Sequence, residues 1–538
     1  MRESRNLEGQ SKLSASDIDL ITILATHPRW ESKRKLSCMN QEIGQKGHPK
    51  GLYVLFATEM WERFNYYGMR AVLVLFMTKA LLFDKVFASH LYGSYTSLIY
   101  LTPLLGGYIA DRYWGNKRSI LLGGLVMAAG EFVLFFCGSV YSSNADLTTL
   151  LFFTGLGLMI AGNGFFKPNI SSMVGQLYPA QDKRIDSAYT IFYMGINTGG
   201  AIGPFICGLV GDTGNPADFK WAFLAGGIGM IISVITLYFL NDKYVVSPDN
   251  KPLGKTPENA DKKFLKPLNM VLGLTVLSVI TIALLYIDAK KVNYLFYFLI
   301  GCIVLIATII YSDKTLSKAE KIRVSVIFTV SFFVIFFWSA FEQAGASLTF
   351  FAEEQTQRDL GFFVVPASFF QSLNSLFVVS LAPLFAWLWI KLGKYEPASP
   401  FKMSLGLFLL ALGYLWIAFG VKGVQPGIKV SMIWLTGMYM MHTMGELCLS
   451  PIGLSLVNKL APVKFGSLLM AVWFTANAFA NKLAGVLSGF YPDGKTTYFL
   501  GYSISNMYDF FMLFVAMAGI ASLILFLLST KLKKLMEQ

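Results

Sequence analysis

The chain has 538 residues, of which 54% are hydrophobic and only 14% charged, with a mean hydropathy of +0.54. A chain this long and this apolar reads as a protein that crosses the bilayer many times, not as a soluble globule. Its net charge of +13 does not mark a nucleic-acid partner, because the basic residues are dispersed through connecting segments instead of gathering on one folded surface.

Residues 1–50 are polar, and their one short apolar run, Ile18 to Ala25, is too brief for a signal-peptide core or a span. They read as a cytoplasmic tail. Met39 leads directly into the first helix and is a candidate start of translation, which would leave 1–38 outside the native protein. Apolar stretches of about 20 residues, enough to cross about 30 Å of hydrocarbon, then recur from 51–82 to 503–530. They predict an all-α polytopic protein with fourteen transmembrane helices. Residues 51–243 form a first six-helix bundle, 244–318 a linker with two accessory helices (266–289 and 292–312), and 319–538 a second six-helix bundle. The basic runs Lys33-Arg34-Lys35, Lys117-Arg118, Lys262-Lys263 and Lys531 to Lys534 all fall on one side, which places both termini in the cytoplasm. The accessory pair is expected to lack the buried charges of the other spans.

The first span holds Glu59, Glu62, Arg63 and Arg70, with Tyr66 and Tyr67 between them. At 100° per residue, positions 59, 62, 63, 66 and 70 share one helix face. Each charge at bilayer depth costs about 2.5–3.5 kcal/mol, so four in one span mark a working surface facing water or a partner.

Further along stand Lys167 in the fourth span, Glu342 in the ninth and Glu446 in the twelfth. Arg70 and Glu342 lie about 19 and 20 residues from the cytoplasmic starts of their spans, while Lys167 and Glu446 lie about 11 and 13 from the cytoplasmic ends of theirs. These depths predict two gating pairs, Arg70 with Glu342 and Lys167 with Glu446, each joining one bundle to the other. Lys482, in the thirteenth span, is expected to snorkel outward. Glu131 in the third span has no evident partner. His442 lies one turn before Glu446 and reads chiefly as a hydrogen-bonded helix histidine. The five cysteines show no C-x-x-C spacing, and the four histidines form no metal-ligand cluster. The segment from Gly489 to Thr496 matches a nucleotide-binding loop in letters but follows a helix instead of a strand, so no nucleotide is expected.

The run Glu59-x-x-Glu62-Arg63-Phe64-x-Tyr66-Tyr67-Gly68 resembles the first-helix signature of the proton-dependent oligopeptide transporters (POT/PTR) of the major facilitator superfamily. Gly164-Phe-Phe-Lys167-Pro168-Asn169, Phe192 to Gly199, Trp338 to Gln343, Phe370 to Asn374, Gly445 to Pro451 and Trp473-Phe474 extend the resemblance over nearly the whole chain from residue 50. One departure is Phe341, where some relatives carry a second glutamate beside Glu342.

The resemblance implies a major facilitator fold, two six-helix bundles plus the two accessory helices, in a bacterial inner membrane. It implies a proton-coupled symporter importing di- and tripeptides by alternating access. Glu59, Glu62, Arg63 and Glu342 are then expected to handle protons. Arg70 and Lys167 suit the peptide carboxylate, and Glu446, Asn197 and Asn374 suit its ammonium. Tyr66, Tyr67, Tyr100, Trp338, Ser450 and Trp473 would line permissive side-chain pockets. Protons are the coupling ion; no cofactor, metal, nucleotide or nucleic acid is expected, and the chain is expected to work as a monomer in the lipid bilayer. An importer of another small solute on the same fold (nitrate, an amino acid or a metabolite conjugate) is the alternative; the intact Glu59/Glu62/Arg63 cluster with Lys167 favours peptides. An ATP-driven pump or a membrane enzyme would need a nucleotide domain or a catalytic constellation, and the sequence offers neither.

Overall fold

A computed structural model describes residues 47–179, 181–258, 260, 266–290, 294–425 and 427–537. The expectations for residues 1–38 and for a start at Met39 fall outside the described residues. From Lys50 onward the chain forms one compact unit.

Among the described residues, fourteen long helices make that unit. The first six are α1 (Lys50–Leu75), α2 (Lys85–Ile109), α3 (Asn116–Val140), α4 (Ala145–Gln176), α5 (Ile185–Gly211) and α6 (Phe219–Tyr244). Two more, α7 (Pro267–Lys290) and α8 (Tyr294–Ser312), stand between the bundles in sequence. The last six are α9, α10 (Phe370–Leu392), α11 (Ser399–Val421), α12 (Met432–Leu460), α13 (Gly466–Ser488) and α14 (Met507–Met536). The α9 span is broken: Lys318–Phe341 (α9a) and Ser347–Gln355 (α9b) are separated by a tight turn at Glu342–Gly345. Ten of these spans are long and apolar enough to cross a membrane on length and composition alone. The remaining four, α1, α2, α12 and α13, carry polar residues discussed below.

Local chemistry fixes the helix starts. Asp84 accepts from the backbone N–H groups of Val86 and Phe87 at the head of α2, and Asn144 accepts from Leu147 at the head of α4. Ser317 and Glu320 form a reciprocal capping box on α9a. Small residues then let helices approach closely, as in membrane bundles generally. A Cβ added to Gly106 of α2 would stand 2.0 Å from the Gly164 carbonyl oxygen of α4, so only glycine fits that crossing.

The two bundles touch mainly at one end, the end where α1 finishes, called here the distal end. There α2 and α13 meet backbone to backbone: a Cβ on Gly93 would lie 2.7 Å from the Gly485 Cα. Ser372 Oγ donates to the Ala201 carbonyl at 2.7 Å, and the Phe205 and Phe369 rings pack 4.6 Å apart. The accessory helices divide between the bundles. Helix α7 lies along α2 and α4, and α8 lies along α13.

Candidate functional site

Helix α1 turns its charged face inward, and its three proximal charges are nearly sealed: Glu59, Glu62 and Arg63 are 2%, 0% and 3% exposed. Arg63 Nε stands 3.1 Å from Glu59 Oε1 and 2.5 Å from Glu62 Oε2. Asn163 of α4 donates from Nδ2 to Glu62 Oε1 at 3.2 Å. Two carboxylates thus share one guanidinium, so the cluster holds one more acid than base; a proton on either glutamate would balance it. Nothing in the sequence marks Asn163 as a partner for Glu62. It sits between Gly162 and Gly164 and reads there as part of a bent helix.

Two turns on, Arg70 Nη1 donates to Glu342 Oε2 at 2.9 Å, across the bundles. Glu342 occupies the first position of the turn that breaks α9, which brings its carboxylate to the bundle interface. The Arg70 guanidinium also lies over Tyr67, 5.2 Å from the ring centre, and over Tyr66 at 5.9 Å. Tyr67, Arg70 and Asn374 line one cavity together with Phe341, Tyr439 and His442.

Lys167 and Glu446 do not pair. The Lys167 ammonium sits 4.9 Å from the centre of the Tyr100 ring, within the first bundle, and no described carboxylate lies within ion-pair distance of it. Glu446 Oε2 instead accepts from Asn374 Nδ2 at 2.9 Å, within the second bundle. Asn374 also reaches Thr443 at 3.1 Å. The bundles meet distally, and the expected inner pair lies toward the other, proximal end; each group therefore finds a partner on its own side.

The remaining candidates are dispersed. Asn197 is buried and donates to the Tyr193 carbonyl at 2.9 Å. Trp338 packs edge-on against Phe341, one of the cavity residues. Trp473 is buried where a Cβ on Gly453 would strike its ring. Ser450 is half-buried near the proximal half of α12. None of these four lines the cavity that holds Arg70 and Asn374.

Three further expectations do not hold. Lys482 does not snorkel: it is fully buried, with Nζ 2.5 Å from Asp288 Oδ2. Asp288 belongs to accessory helix α7, so that pair is not free of buried charge. The lone Glu131 does have a partner, since Asn65 of α1 donates to it at 2.8 Å. The His442 ring packs at a tilt against Tyr414, 4.7 Å between ring centres, and hydrogen-bonds the Leu410 carbonyl, as a structural helix histidine does.

A second charged layer, unmarked by any pattern in the sequence, lies distal to Arg70. Lys79, in the helical turn Phe76–Ala80 that follows α1, pairs with Glu353 at 2.5 Å, and Glu353 also holds Arg358 at 2.6 Å. Asp212 after α5 accepts from the Ser368 backbone and hydroxyl, both at 3.2 Å. The Lys79–Glu353 and Asp212–Ser368 contacts also join the bundles. The signal available was the acidic pair Glu353-Glu354 at the end of a span, which reads as an ordinary solvated helix end.

Comparison with known proteins places this arrangement among transporters. The POT family model (PTR2) matches residues 117–508. The uncharacterized transporter YclF of Bacillus subtilis is 36% identical over 469 residues, covering 85% of this chain and 90% of its own length. A di-/tripeptide transporter of Lactococcus lactis is 34% identical over 452 residues, covering 80% of this chain and 87% of its own. Among solved structures, that of a peptide transporter POT in complex with sulfate is 31% identical and covers 92% of this chain and 97% of its own. It superposes with a TM-score of 0.78.

Proposed function

This chain belongs to the POT family, and we propose that it is a proton-coupled symporter that imports di- and tripeptides by alternating access. It is a multi-pass membrane protein. We place it in a bacterial inner membrane with both termini cytoplasmic, acting as a monomeric carrier and not an enzyme. With that orientation the distal end faces outside, and bundles joined distally describe a carrier open toward the cytoplasm.

One observation carries the reading: the first bundle offers the cations Arg70 and Lys167, and the second offers Glu446 and Asn374, with Lys167 and Glu446 held apart. A short peptide is a zwitterion with a polar backbone. Its carboxylate suits Arg70 and Lys167, and its ammonium suits Glu446 with the amides of Asn374 and Asn197. Tyr66, Tyr67, Tyr100, Trp338, Ser450 and Trp473 would supply surfaces for variable side chains. Bridging the two bundles through the ends of one substrate gives binding energy that favours closure, which a fixed ion pair would short-circuit.

Protons supply the drive through the buried Glu59–Arg63–Glu62 cluster and through Glu342. When Glu342 takes a proton, it loses its hold on Arg70 and the distal contact weakens. One proton moving down 100 mV is worth about 2.3 kcal/mol, roughly a fiftyfold accumulation.

The test is uptake of labelled dialanine into proteoliposomes holding the full chain, challenged with excess unlabelled solutes. Competition by di- and tripeptides but not by free alanine or nitrate is expected. Competition by nitrate or a single amino acid, with none by peptides, would move the substrate to another class.

A further inference from the structure

Helices α7 and α8 are extra to the two bundles, yet they are not attached as a passive annex. One leg lies on each bundle. Thr281 of α7 donates to the Gly157 carbonyl of α4 at 2.9 Å. Phe296 of α8 packs its ring 5.0 Å from Phe479 of α13. At the distal end of α7, Asp288 is 3% exposed and fully bonded. Its Oδ1 accepts from the Leu295 backbone N–H at 3.0 Å, which ties the end of α7 to the start of α8. Its Oδ2 stands 2.5 Å from Lys482 Nζ of α13 and 2.5 Å from Ser94 Oγ of α2. Lys482 also donates to Ser94 Oγ at 2.8 Å.

Three separate parts of the chain therefore meet at one buried charge pair: the first bundle at Ser94, the accessory hairpin at Asp288 and the second bundle at Lys482. The place matters. Ser94 follows Gly93, and Lys482 lies three residues before Gly485, the two glycines at which α2 and α13 touch backbone to backbone. Any separation of the bundles at the distal end pulls Lys482 away from Ser94. It must also pull Lys482 from Asp288, because α7 is held to the first bundle through α2 and α4. A charge stranded in a dry interior is strongly unfavourable, so the intact triad opposes distal opening.

We propose that the accessory hairpin is a latch, in which Asp288 clasps Ser94 of one bundle and Lys482 of the other and holds the distal ends together until it is released. This inference rests on the alternating-access reading above, but its test needs no substrate.

The experiment uses the full chain with its native cysteines replaced, reconstituted in liposomes at fixed pH without peptide. Spin labels are placed at Leu82→Cys and Leu500→Cys, residues 81% and 94% exposed on the distal side of the first and second bundle. Pulsed electron resonance then reads the distance distribution. The unaltered triad should give mainly the short distance. Asp288→Asn should raise the ratio of long to short distances about tenfold, within the range typical of coupling between sites. The exchange Asp288→Lys with Lys482→Asp, which restores a pair, should return the distribution toward the short distance. Should Asp288→Asn fail to fold, Ser94→Ala strands no charge and should shift the ratio in the same direction by a smaller factor. A distribution unchanged in whichever of Asp288→Asn and Ser94→Ala folds would overturn the latch, as would a folded charge exchange that leaves the long distance dominant. Peptide specificity leaves this readout untouched, so a solute other than peptides would refute the substrate while leaving the latch intact.

Discussion

Arg70 and Glu342 lie 272 residues apart in sequence and meet at 2.9 Å, one from each bundle, at a level where α9 breaks its helix. On the proposed reading, a proton on Glu342 would break that contact. Truncating one partner of a buried, hydrogen-bonded charge pair costs about 2–5 kcal/mol. Glu342→Gln is therefore expected to lower gradient-driven uptake by about thirtyfold or more while exchange of peptide for peptide persists. Parallel driven-uptake and counterflow assays check it; equal losses in both would point to a binding role instead.

Glu62 shares Arg63 with Glu59 and takes a further hydrogen bond from Asn163. Glu62→Gln keeps the shape but fixes the group as neutral. It should abolish uptake driven by a pH gradient and leave some counterflow. Unchanged driven uptake would remove Glu62 from the proton route.

At Gly93 the backbone of α2 lies so near that of α13 that an added Cβ would stand 2.7 Å from the Gly485 Cα, with no room for a methyl group. Gly93→Ala should wedge the distal ends apart, at an overpacking cost of about 1–3 kcal/mol. A thermal unfolding midpoint several degrees below that of the native chain is the expected result. An unchanged midpoint would mean that the helices part there at little cost.

Glu131 is buried on α3 with Asn65 as its hydrogen-bond donor and no ion-pair partner among the described residues. An amide oxygen can accept that bond equally well. Glu131→Gln should therefore keep driven uptake within about twofold of the native rate, whereas Glu131→Ala, which leaves Asn65 without its partner, should lower stability by about 1–3 kcal/mol. Loss of driven uptake in Glu131→Gln would assign this carboxyl a role in proton movement.

Much of this architecture is legible in the sequence because each span is a long apolar run, and because charges inside such runs are costly enough to be informative. Depth along a helix correctly brought Arg70 to Glu342, since both lie near the level where the bundles touch. The same arithmetic paired Lys167 with Glu446, which here keep separate company. Depth sets which residues can meet, whereas the conformation decides which do. The pairing of Asp288 with Lys482 is hidden for a different reason. Asp288 lies near its helix end and resembles an interfacial residue, and a lysine in a span usually snorkels. Nothing in the periodicity of α2, α7 or α13 says that positions 94, 288 and 482 share a point in space. Asn163 was hidden likewise among glycines.

The most direct test of proton-coupled import is accumulation of labelled dialanine in proteoliposomes, acidic outside and neutral inside, before and after a protonophore. Internal peptide should rise well above the external concentration and fall back to equality when the protonophore is added. Uptake that stops at equality with the gradient intact would contradict the account.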